Sequence, residues 1–289
     1  MGIECPSMHW LWMGIFIPTP LEVFMQDNFR LGTLLAVIGA IVGLGALYVF
    51  TSIYNPMINV MIDTNRVHES WSVRLVFPLL GYLAITSGVL WLLALYGFLN
   101  REKWAWMLGI VGCTFSLLAG FFPMVPAMDA KVFPATVVIF IPSLVLWAGL
   151  FFVRKIDVRV AVLAFVAGLA YVLSFMNGVA PIAKYVASMG QDFINGLYVM
   201  TQEINWWGSA AWAVFIFALL SRKGWARILG LGAGLMAIVG GTPLAIANML
   251  EVKRFSLFTL SPLLSVVLVI VLLLPATQQW IKDWNKSQG

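Results

Sequence analysis

The sequence predicts an all-α membrane fold: eight transmembrane helices forming two parallel four-helix repeats, behind a short N-terminal interfacial helix. Three observations predict it. The 289-residue chain is 62% hydrophobic and only 10% charged, against about 25% charged in an average soluble domain. Its apolar residues gather into runs of about 20, the length that crosses the hydrocarbon core as helix. One stretch, LNREKWAWMLG at Leu99–Gly109, recurs as LSRKGWARILG at Leu220–Gly230, with six of eleven positions identical.

Residues 1–30 read as a cytoplasmic or interfacial lead-in. The first nine carry Glu4 and no Lys or Arg, so the basic start of a secretory signal is not expected. Pro6 stands where a myristoylation pattern needs Ser or Thr. The apolar MHWLWMGIFIP is too short to span. Thr19-Pro20-Leu21-Glu22 has capping-box spacing with Pro at the first helical position. Leu21, Phe24, Met25 and Phe29 then share one helix face. This interfacial helix either leads the chain into the membrane or docks a partner.

The first repeat, residues 31–153, holds spans at Leu31–Tyr54, Ser72–Leu99, Trp104–Pro126 and Lys131–Val153. The second, residues 154–278, holds spans at Val158–Gly178, Ile204–Leu220, Trp225–Asn248 and Phe255–Pro275. The helix of the sixth span starts at Ile204 or nearer Asp192. Long connections are expected at Asn55–Trp71 and Val179–Glu203, with short links elsewhere. Residues 279–289 read as a tail. Eleven of the 17 Lys and Arg fall on one side, among them Arg30, Arg101, Lys103, Arg154, Arg222 and Arg227. Arg66, Arg74, Lys131, Lys184, Lys253 and Arg254 fall on the other. The excess belongs in the cytoplasm, so both termini are expected there, in a cell (plasma or inner) membrane.

The repeated stretch aligns Arg101 with Arg222, Trp104 with Trp225 and Gly109 with Gly230. Trp91 and Trp212, and Gly120 and Gly241, fall at the same offset. The arginines hold a turn at the cytoplasmic side, and the tryptophans suit the headgroup layer. Ala105, Gly109 and Cys113 stand four apart, as do Ala226, Gly230 and Gly234, a spacing that admits a closely packed neighbouring helix. Pro123 matches Pro243 and Pro142 matches Pro262 with a one-residue slip. An even number of spans per unit makes the repeats parallel.

Several chemistries are excluded. His9 and His68 are the only histidines, and neither lies within a span, so no facing pair can hold haem. Cys5 and Cys113 make neither a disulfide framework nor a metal-ligand spacing. Gly230–Gly234 lacks the strand context of a nucleotide fingerprint. Every charged residue can sit at a span end, which argues against a proton relay. No cofactor is expected, and neither catalysis nor nucleic-acid binding. Asp63, His68 and Glu69, with Asp129, Glu203 and Glu251, face outward. They are either solvated loop charges or a site for a metal or cationic ligand.

Proline within a membrane helix frees a carbonyl, and paired interruptions point to a site between repeats. The candidate pocket therefore comprises Ser116, Pro123, Pro142, Ser143, Trp147, Trp206, Trp207, Trp212, Thr242, Pro243, Asn248, Ser261 and Pro262, with Ser256 nearby. The prolines could equally serve packing alone. Two functions remain open. One is a non-catalytic membrane subunit or scaffold holding lipid, a quinone-like ligand or partner helices. The other is a permease for a small neutral or weakly polar solute. Membrane lipid and other membrane subunits are the expected partners; a small-molecule ligand stays open.

Overall fold

The computed structural model describes residues 28–154, 156–187 and 193–286. The interfacial helix expected from Thr19 lies outside them. The described residues are helical throughout, with no strand. In chain order the helices are α1 (Phe29–Asp63), α2 (Val67–Leu99), α3 (Trp104–Phe121), α4 (Met124–Asp129) and α5 (Val137–Val153). They continue as α6 (Val158–Ala187), α7 (Phe193–Leu220), α8 (Ala226–Val252), α9 (Leu260–Leu273) and α10 (Pro275–Lys286). A single 3-10 turn, Leu257–Thr259, precedes α9.

Among the described residues, six helical segments are long and apolar enough to cross a membrane: α1, α2, α3 with α4, α6, α7 and α8. The α9 region and α10 make a seventh if taken together, bent by 73°. Helix α5 is apolar but only 17 residues long.

The helices pack as two closed rings. In the first, α1 lies against α2, α2 against α3, α3 against α5, and α5 against α1. In the second, α6, α7, α8 and α9 follow the same order. The rings meet mainly through α2 and α6. Within the first ring, α1 and α2 run antiparallel in constant register. Gly32 faces Phe98, Gly39 faces Trp91, Gly43 faces Gly88 and Gly81 faces Phe50. The start of α1 is tied down twice. Asn28 accepts from Leu31 N at 3.1 Å, and its own N–H donates to Val153 O at 2.8 Å.

The repeated stretch forms the same turn twice. Arg101 and Arg222 both take the left-handed conformation at φ 58°. Arg101 N donates to Phe98 O and Glu102 N to Gly97 O, while Arg222 N donates to Leu219 O and Lys223 N to Ala218 O. This double bond is the Schellman closure, which satisfies orphan carbonyls at a helix end. Lys131 (φ 57°) and Asn65 (φ 60°) close α4 and α1 in the same way.

Two expectations need correction. The long connections at Asn55–Trp71 and Val179–Glu203 are mostly helix. α1 continues through Pro56 to Asp63, α2 starts at Val67, α6 continues through Pro181 to Ala187, and α7 starts at Phe193. Each helix continues because its antiparallel neighbour continues beside it and supplies packing to the tip. At 1.5 Å per residue, α1 is about 50 Å long, roughly 20 Å more than the hydrocarbon core. Nor are proline interruptions confined to the four paired sites, since Pro56, Pro78 and Pro181 also lie inside helices.

The small residues of the repeated stretch sit close against adjacent helices. A Cβ on Gly109 would meet the Trp91 ring at 3.1 Å, and one on Gly230 would meet the Phe215 ring at 2.7 Å. These glycines make slots for aromatic rings rather than for another backbone. Trp91 and Trp212 are both fully buried, Trp91 against Gly109 and Trp212 beside Gly234.

Candidate functional site

A cavity of about 1270 Å3 lies in the second ring. It opens on the face that carries the α1–α2 turn. Its walls are the end of α6, the start of α7 and one side of α8, and the start of α2 (His68 and Glu69) closes one edge. Ile238, Val239, Thr242, Pro243, Ile246, Ala247 and Leu250 line it from α8. Their spacing of three, four and one is that of a single helical face. Phe193, Ile194 and Leu197 oppose them from α7. Pro243 has no N–H, so the Val239 carbonyl loses its helical donor on this wall.

The cleft's polar groups are gathered at one end. Lys184 Nζ pairs with Glu251 Oε1 at 2.5 Å, and Tyr198 Oη donates to Glu251 Oε2 at 2.9 Å. Nearby, Arg66 binds Glu69 and Asp129 together, clamping the α1–α2 turn to α4. The hydrogen-bonded Glu69 carboxylate, against a smaller opposing effect of burial, raises the Arg66 pKa above its ordinary value. His68 and Asp63 are exposed, as is Glu203. Among the described residues, no three His, Cys, Asp or Glu side chains group as a metal site would.

Deeper in the second ring runs a buried polar seam. Thr201, Asn205 and Ser209 stand at intervals of four on α7, with Gln202 beside them, all buried. Asn205 Nδ2 donates to Thr201 O at 2.7 Å and Ser209 Oγ to Tyr171 O at 3.0 Å. From α6, Asn177 Nδ2 donates to Phe258 O at 2.9 Å, and Ser174 Oγ meets Ser261 Oγ at 3.0 Å. Gly240 and Gly241 make room for the two amides. A Cβ there would come within 3.0 Å of Asn205 Nδ2 and 3.1 Å of Asn177 Nδ2. Asn205 Oδ1 is buried with no hydrogen-bond partner. At the repeat offset, the first ring has Leu80, Gly81, Ala84 and Gly88 in place of Thr201, Gln202, Asn205 and Ser209. The seam belongs to the second ring alone.

Of the residues singled out in the sequence, Thr242 and Pro243 line the cleft. Pro123 instead borders a separate cavity of about 80 Å3 in the first ring, with Pro56 and Thr136. Ser116 and Ser143 bond back to Gly112 O and Ile139 O of their own helices. Pro262 packs on Gly241, and Pro142 is half-buried within α5. Trp147 meets Phe151 and Phe165, Trp206 stacks on Phe175, and Trp212 is buried against Phe215. Trp207 is exposed, Asn248 is half-buried on α8, and Ser256 caps the 3-10 turn by accepting from Phe258 N. Lys184, Phe193, Asn195 and Tyr198 fall in the connection expected at Val179–Glu203, so the sequence does not place them on a cleft wall. The period-four polar spacing of Thr201, Asn205 and Ser209 was the available signal.

In comparisons with known proteins, no family model, curated protein or solved structure matches this chain.

Proposed function

We propose that this protein is a non-catalytic, membrane-embedded binding subunit that holds an amphiphile, a lipid or quinone-like molecule, in the cleft of its second ring. The observation that carries the reading is the cleft itself, about 1270 Å3 with apolar walls and polar groups at one end. Ligand sites have that composition: mostly apolar, with a few polar groups to orient the guest. The apolar body would lie along α8, and the polar head would reach Tyr198 and the Lys184–Glu251 pair. Eight spans in two like-oriented units form the frame of this reading. The identical packing order of the two rings and the twice-used Arg turn support it. Placing both termini in the cytoplasm rests on the distribution of Lys and Arg.

Solvent extraction of the purified protein followed by mass spectrometry tests the assignment. Wild type should carry an amphiphile near one per chain, and Val239→Trp, which puts an indole across the α8 wall of the cleft, should carry several-fold less. Wild type that retains no amphiphile rejects the reading.

A permease for a small neutral or weakly polar solute is the second reading, favoured by the polar seam behind the cleft. Uptake into liposomes that is unchanged by Asn205→Ala would count against it.

A further inference from the structure

The basic face, opposite the cleft, carries a separate feature. Leu274 leaves α9 in an extended conformation (φ −62°, ψ 133°), and α10 departs at 73° to the preceding helix. Helix α10 is amphipathic. Trp280, Ile281 and Trp284 pack toward the bundle, while Gln279, Lys282, Asp283 and Lys286 are exposed. A helix of this kind lies along a membrane surface at headgroup depth. The Trp284 indole N–H donates to Leu219 O at 3.0 Å, capping the end of α7. The Arg222 guanidinium sits over that indole, 4.0 Å from the ring centroid.

Among the described residues, Arg222 has no acidic partner. Its Nε and Nη1 are buried without a hydrogen-bond acceptor. The ion pairs Arg66–Glu69, Arg66–Asp129 and Lys184–Glu251 all lie on the other face. Burial lowers the Arg222 pKa, and the like charge of Arg154, at the end of α5 in the first ring, lowers it further. Beside Arg222, Ser221 Oγ donates to Met107 Sδ of α3 at 3.8 Å, so this turn lies against the first ring.

We propose that Arg222, shelved on Trp284 where the two rings meet, binds the phosphate of an anionic membrane phospholipid. A guanidinium fork matches phosphate geometry, and an aromatic shelf holds the fork in place. The phosphate diester supplies the missing negative charge, at the depth where α10 lies. Arg101 is the internal comparison. It holds the same position in the repeated turn at the same φ of 58°, yet it is exposed and rests on no ring. The inference rests on the membrane reading and not on the cleft, so an empty cleft leaves it standing.

The test uses full-length protein in phosphatidylcholine nanodiscs carrying a minority of phosphatidylglycerol, with bound lipid counted by native mass spectrometry. Wild type is expected to retain phosphatidylglycerol in preference to phosphatidylcholine. Arg222→Gln should lose about fivefold of that preference, the worth of one cation at headgroup depth, and Arg101→Gln should keep it. Equal preference in wild type and R222Q overturns the proposal, and so does equal loss in R222Q and R101Q. Should R222Q fail to fold, wild type alone decides. Absence of any preference overturns the proposal, as does displacement of the lipid by millimolar inorganic phosphate; retention under that challenge upholds it.

Discussion

Gly43 of α1 and Gly88 of α2 meet backbone to backbone. A Cβ on Gly88 would lie 2.6 Å from Leu44 N and 2.8 Å from Gly43 C, and one on Gly43 would collide with Gly88 N and Cα. Between helices in lipid no hydrophobic drive operates, so close van der Waals packing of this kind does much of the holding. Neither neighbour is a flexible side-chain tip that could swing aside.

Gly88→Ala should therefore destabilise by about 1–3 kcal/mol, the usual cost of forcing extra volume into a packed site. Gly45, two residues further along α1, has nothing within 4 Å of a built Cβ. There Gly45→Ala should be neutral or stabilising by up to about 1 kcal/mol, because helix interiors disfavour glycine. Thermal unfolding of both variants in one detergent checks the pair. Equal midpoints would refute the backbone contact.

Arg101 and Arg222 share a strained conformation but differ in surroundings. Left-handed backbone costs an L-residue about 1–2 kcal/mol relative to glycine. Arg101→Gly should raise stability by about 1 kcal/mol, since the exposed side chain gives up little. Arg222→Gly should gain less or lose, because it also removes the stack on Trp284. A larger gain at Arg222 than at Arg101 in a denaturation series contradicts this.

Asn205 presents a different balance. Its amide makes one bond to a carbonyl of its own helix and leaves Oδ1 unpartnered. Asn205→Ala, which restores the residue found at Ala84 in the first ring, should change stability by no more than about 1 kcal/mol. A loss above about 2 kcal/mol in wild-type membranes would mean that a bound donor occupies Oδ1 there.

The Lys184–Glu251 pair is roughly one-third to one-half exposed, at 34% and 48% of side-chain area. Pairs this wet contribute about 0–1 kcal/mol. Lys184→Met should therefore leave the melting temperature nearly unchanged while weakening retention of any amphiphile by its head. A large drop in melting temperature with ligand retention intact would make the pair structural.

Helical apolar runs are legible in the sequence because about 20 apolar residues in lipid have one way to satisfy their backbone. Their ends are not. Asn55, Pro56, Asn59 and Asp63 read as loop by composition, yet α2 runs beside them and keeps the segment helical. The candidate pocket was legible only in part. Thr242 and Pro243 stand out as a polar residue and a helix break within one span. The remainder of the cleft depends on where α2 begins relative to α6, α7 and α8, a tertiary fact that no local spacing encodes. Ser116 and Ser143 spend their hydroxyls on carbonyls one turn back, Ser143 at 2.7 Å, and such back-bonding is common inside helices.

The disparity in helix length bears on the surrounding bilayer. Helix α1 has 35 residues and α5, its neighbour in the ring, has 17. A hydrophobic wall of 17 residues stands only about 26 Å tall, short of the roughly 30 Å of a relaxed hydrocarbon layer. On the proposed eight-span reading, acyl chains bordering α5 would have to compress or splay to meet it. The molecule would then wear an uneven collar, pinching the membrane on the α5 flank and leaving it at full depth along α1.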